Sequence, residues 1–292
     1  MSWRTIVITG TAKLDYRLEH LVVRKVEGES RVHLSEIGLL MVESTSVSLT
    51  TTLLAELVRH KIKVIFCDEK HNPSSELTPY YGSHDTSAKI KNQTTWDQGT
   101  KEAVWTEIVA DKIRKQAEHL KDQSKDEEAE LLRIYIKEME FADRTNREGH
   151  AAKVYFNALF GKDFTRGEEN SINAALNYGY GILLSYFTRE IVSNGYITQL
   201  GLFHDNMFNQ FNLASDLMEP FRILVDRRVC AMMPEQFEHD EKMEILELFN
   251  DRITIDGYER VVSAAIRVYC RSIFDALNEG DVSLIRLYRY EL

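Results

Sequence analysis

Proline and glycine are scarce in these 292 residues, with four prolines and 14 glycines, about half the share of an average globular chain. Tight turns are therefore few, and long helices are expected. Cysteine is scarcer still. Cys67, Cys230 and Cys270 lie far apart and form no CxxC pair. That excludes a disulfide framework or a cysteine-based zinc site and fits a reducing compartment. Long apolar runs are missing, since even Ile172 to Phe187 carries Asn173, Asn177 and Ser185, so no membrane span is expected. The start, Met1-Ser2-Trp3-Arg4, shows no charged-then-apolar leader, and the expectation is a cytosolic protein. A basic excess is missing too: 36 Lys and Arg stand against 46 Asp and Glu, for a net charge of −10. Taken alone, this speaks against a surface coated in basic patches, the usual footprint of nucleic-acid binding. No GxxxxGK[ST], post-strand GxGxxG, HExxH or GxSxG occurs. What is there is 43% hydrophobic and 28% charged, ordinary for a folded soluble chain of about two domains.

The chain changes character near residue 80. Before it, short runs alternate with period two. Lys13 to Leu18 predicts a strand with Leu14, Tyr16 and Leu18 on one face. Thr5 to Thr9, His20 to Val26, Arg31 to Leu34, Leu39 to Glu43 and Lys63 to Cys67 predict further strands. Glu27-Gly28-Glu29-Ser30 reads as a hairpin turn, and Ser48 to His60 as a helix. His71 to Gly82, rich in Pro and Ser, reads as a linker. From about Ser87 the apolar period is helical. Ala103 to Leu120, Glu127 to Ala142, Asn146 to Phe160, Ser171 to Ser193, Ala214 to Met232, His239 to Phe249 and Tyr258 to Leu277 are the expected helices. The fold class is therefore α+β: a β domain over 1–72, a linker over 73–86 and a helical domain over 87–292. The first 80 residues hold ten basic and ten acidic side chains. The negative excess thus lies in the helical part, chiefly in Asp122 to Asp143 and Glu235 to Arg252.

Three segments carry candidate chemistry. In Thr145-Asn146-Arg147-Glu148-Gly149-His150-Ala151-Ala152, a helix would border Glu148 with two alanines and leave room for something bulky. Equally, Thr145-x-x-Glu148 fits a capping box, with Glu148 closing the helix start. The second segment is Gly201-Leu202-Phe203-His204. The third is Asp216-Leu217-Met218-Glu219-Pro220-Phe221-Arg222, where Pro220 pushes Glu219 out of the α region. Arg222 lies one turn on and can pair with Glu219 or hold a phosphate. Two carboxylates and an imidazole suit a hard ion such as Mg²⁺ or Mn²⁺. Three His-Asp dipeptides, at 84, 204 and 239, invite a metal phosphohydrolase reading, but no consistent set of further ligands accompanies them.

These segments, in this order behind a β domain, resemble the CRISPR-associated integrase family, the larger subunit of the spacer-acquisition machinery. The opening from Trp3-Arg4-Thr5 to His20-Leu21 looks like the form that accompanies single-protein effector nucleases (type II systems). The resemblance implies a metal site at Glu148, His204 and Glu219, with Glu where many relatives have Asp. It implies an endonuclease and integrase of the bacterial cytoplasm. The 3′-hydroxyl of a captured double-stranded DNA would attack a phosphate at the edge of a CRISPR repeat, by transesterification and without ATP. It also implies partners: a homodimer through the β domain, and two dimers flanking a small ferredoxin-like subunit pair, a four-to-two complex. Arg144, Arg147, Lys153, Lys162 and Arg166 make 144–166 net positive, and Arg222, Arg227 and Arg228 form a second basic group. Both are expected near each other as DNA-phosphate contacts, with surface salt bridges as the alternative for each. Two other readings stand beside the integrase: a stand-alone nuclease on branched DNA, and a non-enzymatic helical scaffold with Glu148 only a cap.

Overall fold

The computed structural model describes residues 4–69, 71–80 and 83–290. It divides into two compact units, Met1–His84 and Asp85–Leu292. Trp3 and Gly82, both used above, lie outside the described residues.

The first unit is built on β1 (Arg4–Ile8), β2 (Ala12–Arg17), β3 (His20–Lys25), β4 (Gly28–His33), β5 (Ile37–Val42), β6 (Val47–Leu49), α1 (Thr51–Arg59), β7 (Lys63–Cys67) and β8 (Pro73–Glu76). These strands form two four-stranded sheets, ordered β1-β5-β7-β8 and β4-β3-β2-β6. In the first, β5 pairs in parallel with both β1 and β7. A strand covered on both faces reads as a continuous apolar run, and Gly38-Leu39-Leu40-Met41-Val42 is one. One core joins both sheets and α1, through Leu14, Leu21, Ile37, Leu40, Leu53, Leu57 and Val64.

Four local expectations change here. Leu18 does not share the face of Leu14; with Glu19 it forms the turn between β2 and β3, both at positive φ, and it is exposed. Two such residues give the twist that suits a two-residue hairpin. The β3–β4 turn is tighter than Glu27 to Ser30, because Gly28, Glu29 and Ser30 already pair with β3. The helix begins at Thr51 rather than Ser48, since Val47–Leu49 pairs with β2 and Thr50 caps α1. Pro73–Glu76 is not linker but an antiparallel edge strand on β7. Proline at the start of an edge strand costs no ladder bond.

The second unit contains α2 (Thr86–Thr94), α3 (Gln98–Asp122), α4 (Asp126–Lys137), α5 (Arg147–Phe160), α6 (Ser171–Ser193), α7 (Asn212–Leu217), α8 (Arg222–Met232), α9 (His239–Glu247) and α10 (Val262–Glu279). Helix α3 is the axis, packing on α4, α5, α8 and α10. Helix α6 crosses α8 closely at Gly179, where a Cβ would come 2.5 Å from Val225 Cγ1. The helix expected over Ala214 to Met232 is broken: a 3₁₀ turn, Glu219–Phe221, separates α7 from α8. Pro220 lacks the N–H a continuous helix needs. Tyr258–Val261 is not helical but a strand, β10, paired between residues 252 and 261 with β9 (Arg252–Ile255). A two-residue strand, β11 (Tyr288–Arg289), completes that sheet. None of the described helices is long and apolar enough to cross a membrane.

Candidate active site

Glu148 stands in the first turn of α5, where a carboxylate is favoured by the helix dipole. It does not cap the helix. The cap is Asn146, held at φ 52°, whose side chain accepts from Gly149 N. Asp143 accepts from Arg147 N at 2.7 Å and from Glu148 N at 3.0 Å. The expected Thr145 capping box is therefore absent; the Thr145 hydroxyl is buried without a hydrogen-bond partner. With the helix start satisfied by Asn146 and Asp143, the Glu148 carboxylate points away and accepts from Lys112 Nζ of α3.

Glu219 sits at the proline break and is 5% exposed. Tyr288 braces the break by donating to the Pro220 carbonyl at 2.9 Å. One Glu219 oxygen accepts from Lys112 Nζ at 2.5 Å; the other lies 2.9 Å from Arg222 Nε. Burial pushes the Glu219 carboxyl up, but the Arg222 guanidinium and the Lys112 ammonium outweigh it and hold it below the usual carboxylate range. Burial likewise opposes the charge on Lys112, and Glu219 and Glu148 overcome it.

His204 is positioned by a buried carboxylate. Asp216 on α7 has no exposed surface and accepts backbone N–H bonds from Leu202 at 2.6 Å, Phe203 at 3.1 Å and His204 at 3.2 Å. It also accepts from His204 Nδ1 at 2.5 Å. That bond raises the His204 pKa against the lowering effect of burial. A carboxylate can only accept here, so Nδ1 carries the proton and Nε2 is left as the free lone pair. Gly201 makes the turn possible. A Cβ there would fall 2.3 Å from the His204 carbonyl and 2.7 Å from Asp216 Oδ2. Phe203 stacks on Trp105 at 4.6 Å, and His204 meets the same indole edge-on.

The loop and the break bring His204 and Glu219 close enough for each charge to shift the other's titration. Beside them lies a cavity of about 220 Å³ lined by Lys112, Gln116, Glu148, Arg166, Glu219 and Asp226, among others. Asp226 accepts from the Tyr180 hydroxyl, and burial pushes its pKa up to about 6. Two oxygen donors and an imidazole nitrogen are chemically the set a hard divalent ion takes. Among the described residues, the three-ligand group drawn within 4.8 Å is instead Glu19, Glu56 and His60 of the first unit. Glu148, His204 and Glu219 are not drawn into such a group, and the Lys112 ammonium lies between the two carboxylates. At the Glu19 group, Arg59 pairs with both carboxylates.

Arg222 stands beside Glu219, and Arg166 joins the two basic groups: it lines the cavity and also a groove with Lys153 and Lys162. The remaining cations are paired. Arg144 lies 3.7 Å from Glu102, Arg147 2.9 Å from Glu138 and Arg227 2.8 Å from Asp122. Arg228 is 2.6 Å from both Glu244 and Asp251. Two side chains of the candidate site escaped the sequence reading. Lys112 was hidden in the apolar period of α3, although Lys112, Lys115, Gln116 and His119 interrupt that period with polar groups that all prove buried. Asp216 was legible as part of a motif, but its role is fixed only by the loop folded over it.

A β-rich unit ahead of a helical one that gathers two carboxylates and an imidazole around its central helix defines a recognisable class of α+β protein. The family model for CRISPR associated protein Cas1 matches residues 6–260, and the chain belongs to that family. It is 36% identical to the CRISPR-associated endonuclease Cas1 of Neisseria meningitidis serogroup C, over the full length of both chains. It is 26% identical to CRISPR-associated endonuclease Cas1 1 of Francisella tularensis subsp. novicida, across 77% of this chain and 76% of that one. Its fold is similar to that of TM1797, a CAS1 protein from Thermotoga maritima, with a TM-score of 0.77 at 15% identity over 99% of this chain and 100% of that one. It is also similar to a casposase bound to integration product, with a TM-score of 0.76 at 18% identity over 97% and 92% of the two chains.

Proposed function

We propose that the chain is a divalent-metal-dependent DNA integrase and endonuclease of CRISPR spacer acquisition, working at Glu148, His204 and Glu219. The observation that carries this reading is that two carboxylates, from α5 and from the Pro220 break, share one cation. An imidazole with a free Nε2 is held beside them by Asp216. A relative named as an endonuclease and a fold neighbour bound to an integration product support the same reading.

Mg²⁺ or Mn²⁺ held by Glu148, His204 and Glu219 would supply the positive charge that a phosphoryl transfer needs at its scissile phosphate. The chain's own groups do the rest. Asp216 keeps Nδ1 protonated and leaves Nε2 available as a ligand, as outer partners of ligating imidazoles do. Arg222 holds Glu219 charged and offers its guanidinium to a phosphate. Lys153, Lys162 and Arg166 extend a positive path along which a DNA strand can lie. Arg144, Arg147, Arg227 and Arg228 contribute where phosphate displaces their carboxylate partners. Transesterification breaks one phosphodiester and forms another, so the reaction conserves bonds and needs no nucleotide site. Attack by water at the same place gives plain cleavage. Fold neighbours described as Cas6-RT-Cas1--Cas2 complexes support a partner subunit; its small ferredoxin-like form and the four-to-two assembly through β-domain dimers belong to the same proposal.

The test is a joining assay with a repeat-containing duplex and donors ending in 3′-hydroxyl or 3′-deoxy. Joined product with the hydroxyl donor alone is expected. Cleavage without joining, in the presence of the partner subunit, would replace the integrase by a stand-alone nuclease. Activity unchanged by Glu148→Ala, His204→Ala or Glu219→Ala would refute the site.

A further inference from the structure

Lys112 is an unusual residue to find between two metal-ligand candidates. It is a buried lysine at mid-helix, 7% exposed, and a buried ammonium is costly unless paired. Here it is paired twice, to Glu148 and to Glu219. Its Nζ stands where the two carboxylates converge, and a lysine ammonium is a compact cation on a flexible stem. One turn further along α3, on the same face, Gln116 is 1% exposed and its Oε1 has no hydrogen-bond partner. Gln116 and the carboxyl of Asp226 line the cavity that Lys112 also lines. A buried acceptor left unsatisfied calls for an explanation. Two acceptors in a cavity that a four-carbon side chain borders offer that ammonium a second place.

We propose that Lys112 is a resident cation with two stations. Without metal, Nζ bridges Glu148 and Glu219 and keeps the helical unit intact around them. When a divalent ion takes the two carboxylates, Nζ turns into the cavity toward Gln116 Oε1 and Asp226. This rests on the metal site proposed above and adds a competition to it: the protein's own lysine opposes metal entry. Lys112 is thus a positioning residue whose removal strengthens metal binding, which a merely structural role would not do.

The test is Mn²⁺ titration of the purified full chain, without DNA, by calorimetry and by electron paramagnetic resonance. Lys112→Met and Lys112→Gln are the variants, and the amide of the second keeps a donor between the carboxylates should the first fail to fold. Both are expected to bind Mn²⁺ at least about tenfold more tightly than wild type, the factor that about 1.4 kcal/mol of lost competition gives. In EDTA both should melt below wild type, and Mn²⁺ should close that gap. Gln116→Met, which removes the second station, should weaken Mn²⁺ binding and leave the EDTA melting point unchanged. Equal or weaker Mn²⁺ affinity in Lys112→Met and Lys112→Gln overturns the competition while leaving the metal site standing. Absence of binding in wild type and in all variants overturns the site itself, and the lysine's role with it.

Discussion

Two clusters of the molecule contain nearly the same side chains. In the first unit, Glu19, Glu56, Arg59 and His60 meet on the surface of α1 and the β2–β3 turn. In the second, Glu148, Glu219 and Arg222 meet around α3, with Lys112 between the carboxylates and His204 against Trp105 of the same helix. The first is drawn closer as a three-ligand group, yet its members are partly exposed side chains, and Arg59 already pairs with both of its carboxylates. Such pairs are screened by water and contribute little. In the second, each candidate ligand is carried by a backbone device: a left-handed cap for Glu148, a proline break for Glu219, and a loop wrapped on a buried aspartate for His204. Composition does not separate the two clusters. The burial of Glu219 and Lys112 and the fixing of backbone do, because desolvation makes those two charges depend on each other.

The largest expected break in this symmetry is Glu219→Gln, which should cut DNA joining by about 10³-fold, read in a strand-joining assay, with the folded state retained by circular dichroism. Next comes Asp226. Its proton is held more tightly in the folded chain than in the unfolded one, so its favourable contribution is full below pH 4 and lost as pH rises through about 6. Asp226→Asn keeps the shape without the ionisation. Its stability relative to wild type should rise between pH 4 and pH 7 by up to about 3 kcal/mol, checked by denaturant melts at several pH values. Asp216→Asn should leave a loop but loosen His204, lowering joining or Mn²⁺ affinity by about 10- to 100-fold. At the other cluster, Glu19→Gln should change neither joining nor the melting temperature. A large effect there would erase the contrast.

How much of this was legible in sequence follows the same line. Periodicity located the two units and the extent of α6, Ser171–Ser193, because long amphipathic or alternating runs report burial directly. It missed the β9–β10–β11 sheet, since four-residue strands beside a helix carry too little pattern. Pro220 announced the break at Glu219 by covalent geometry alone. The capping box at Thr145 was a false lead: the same spacing served Asn146 and Gly149 instead, and only the three-dimensional course of the chain decides between caps one residue apart. Lys112 lies 36 residues from Glu148 and 107 from Glu219, so no local pattern could join them. The net charge of −10 led away from nucleic acid, yet Asp122, Glu138, Glu244 and Asp251 of the acidic stretches are consumed as partners of Arg227, Arg147 and Arg228. Lys153 and Arg166 line the groove and cavity that reach the candidate site.

The most direct measurement is a crystal structure of the chain grown with Mn²⁺ and a short DNA, with anomalous data collected for manganese. The account predicts a peak within about 2.3 Å of carboxylate oxygens of Glu148 and Glu219 and of His204 Nε2, with Lys112 Nζ withdrawn from between the carboxylates. A peak only at Glu19, Glu56 and His60, or Lys112 still seated between Glu148 and Glu219 with no manganese beside them, would contradict it.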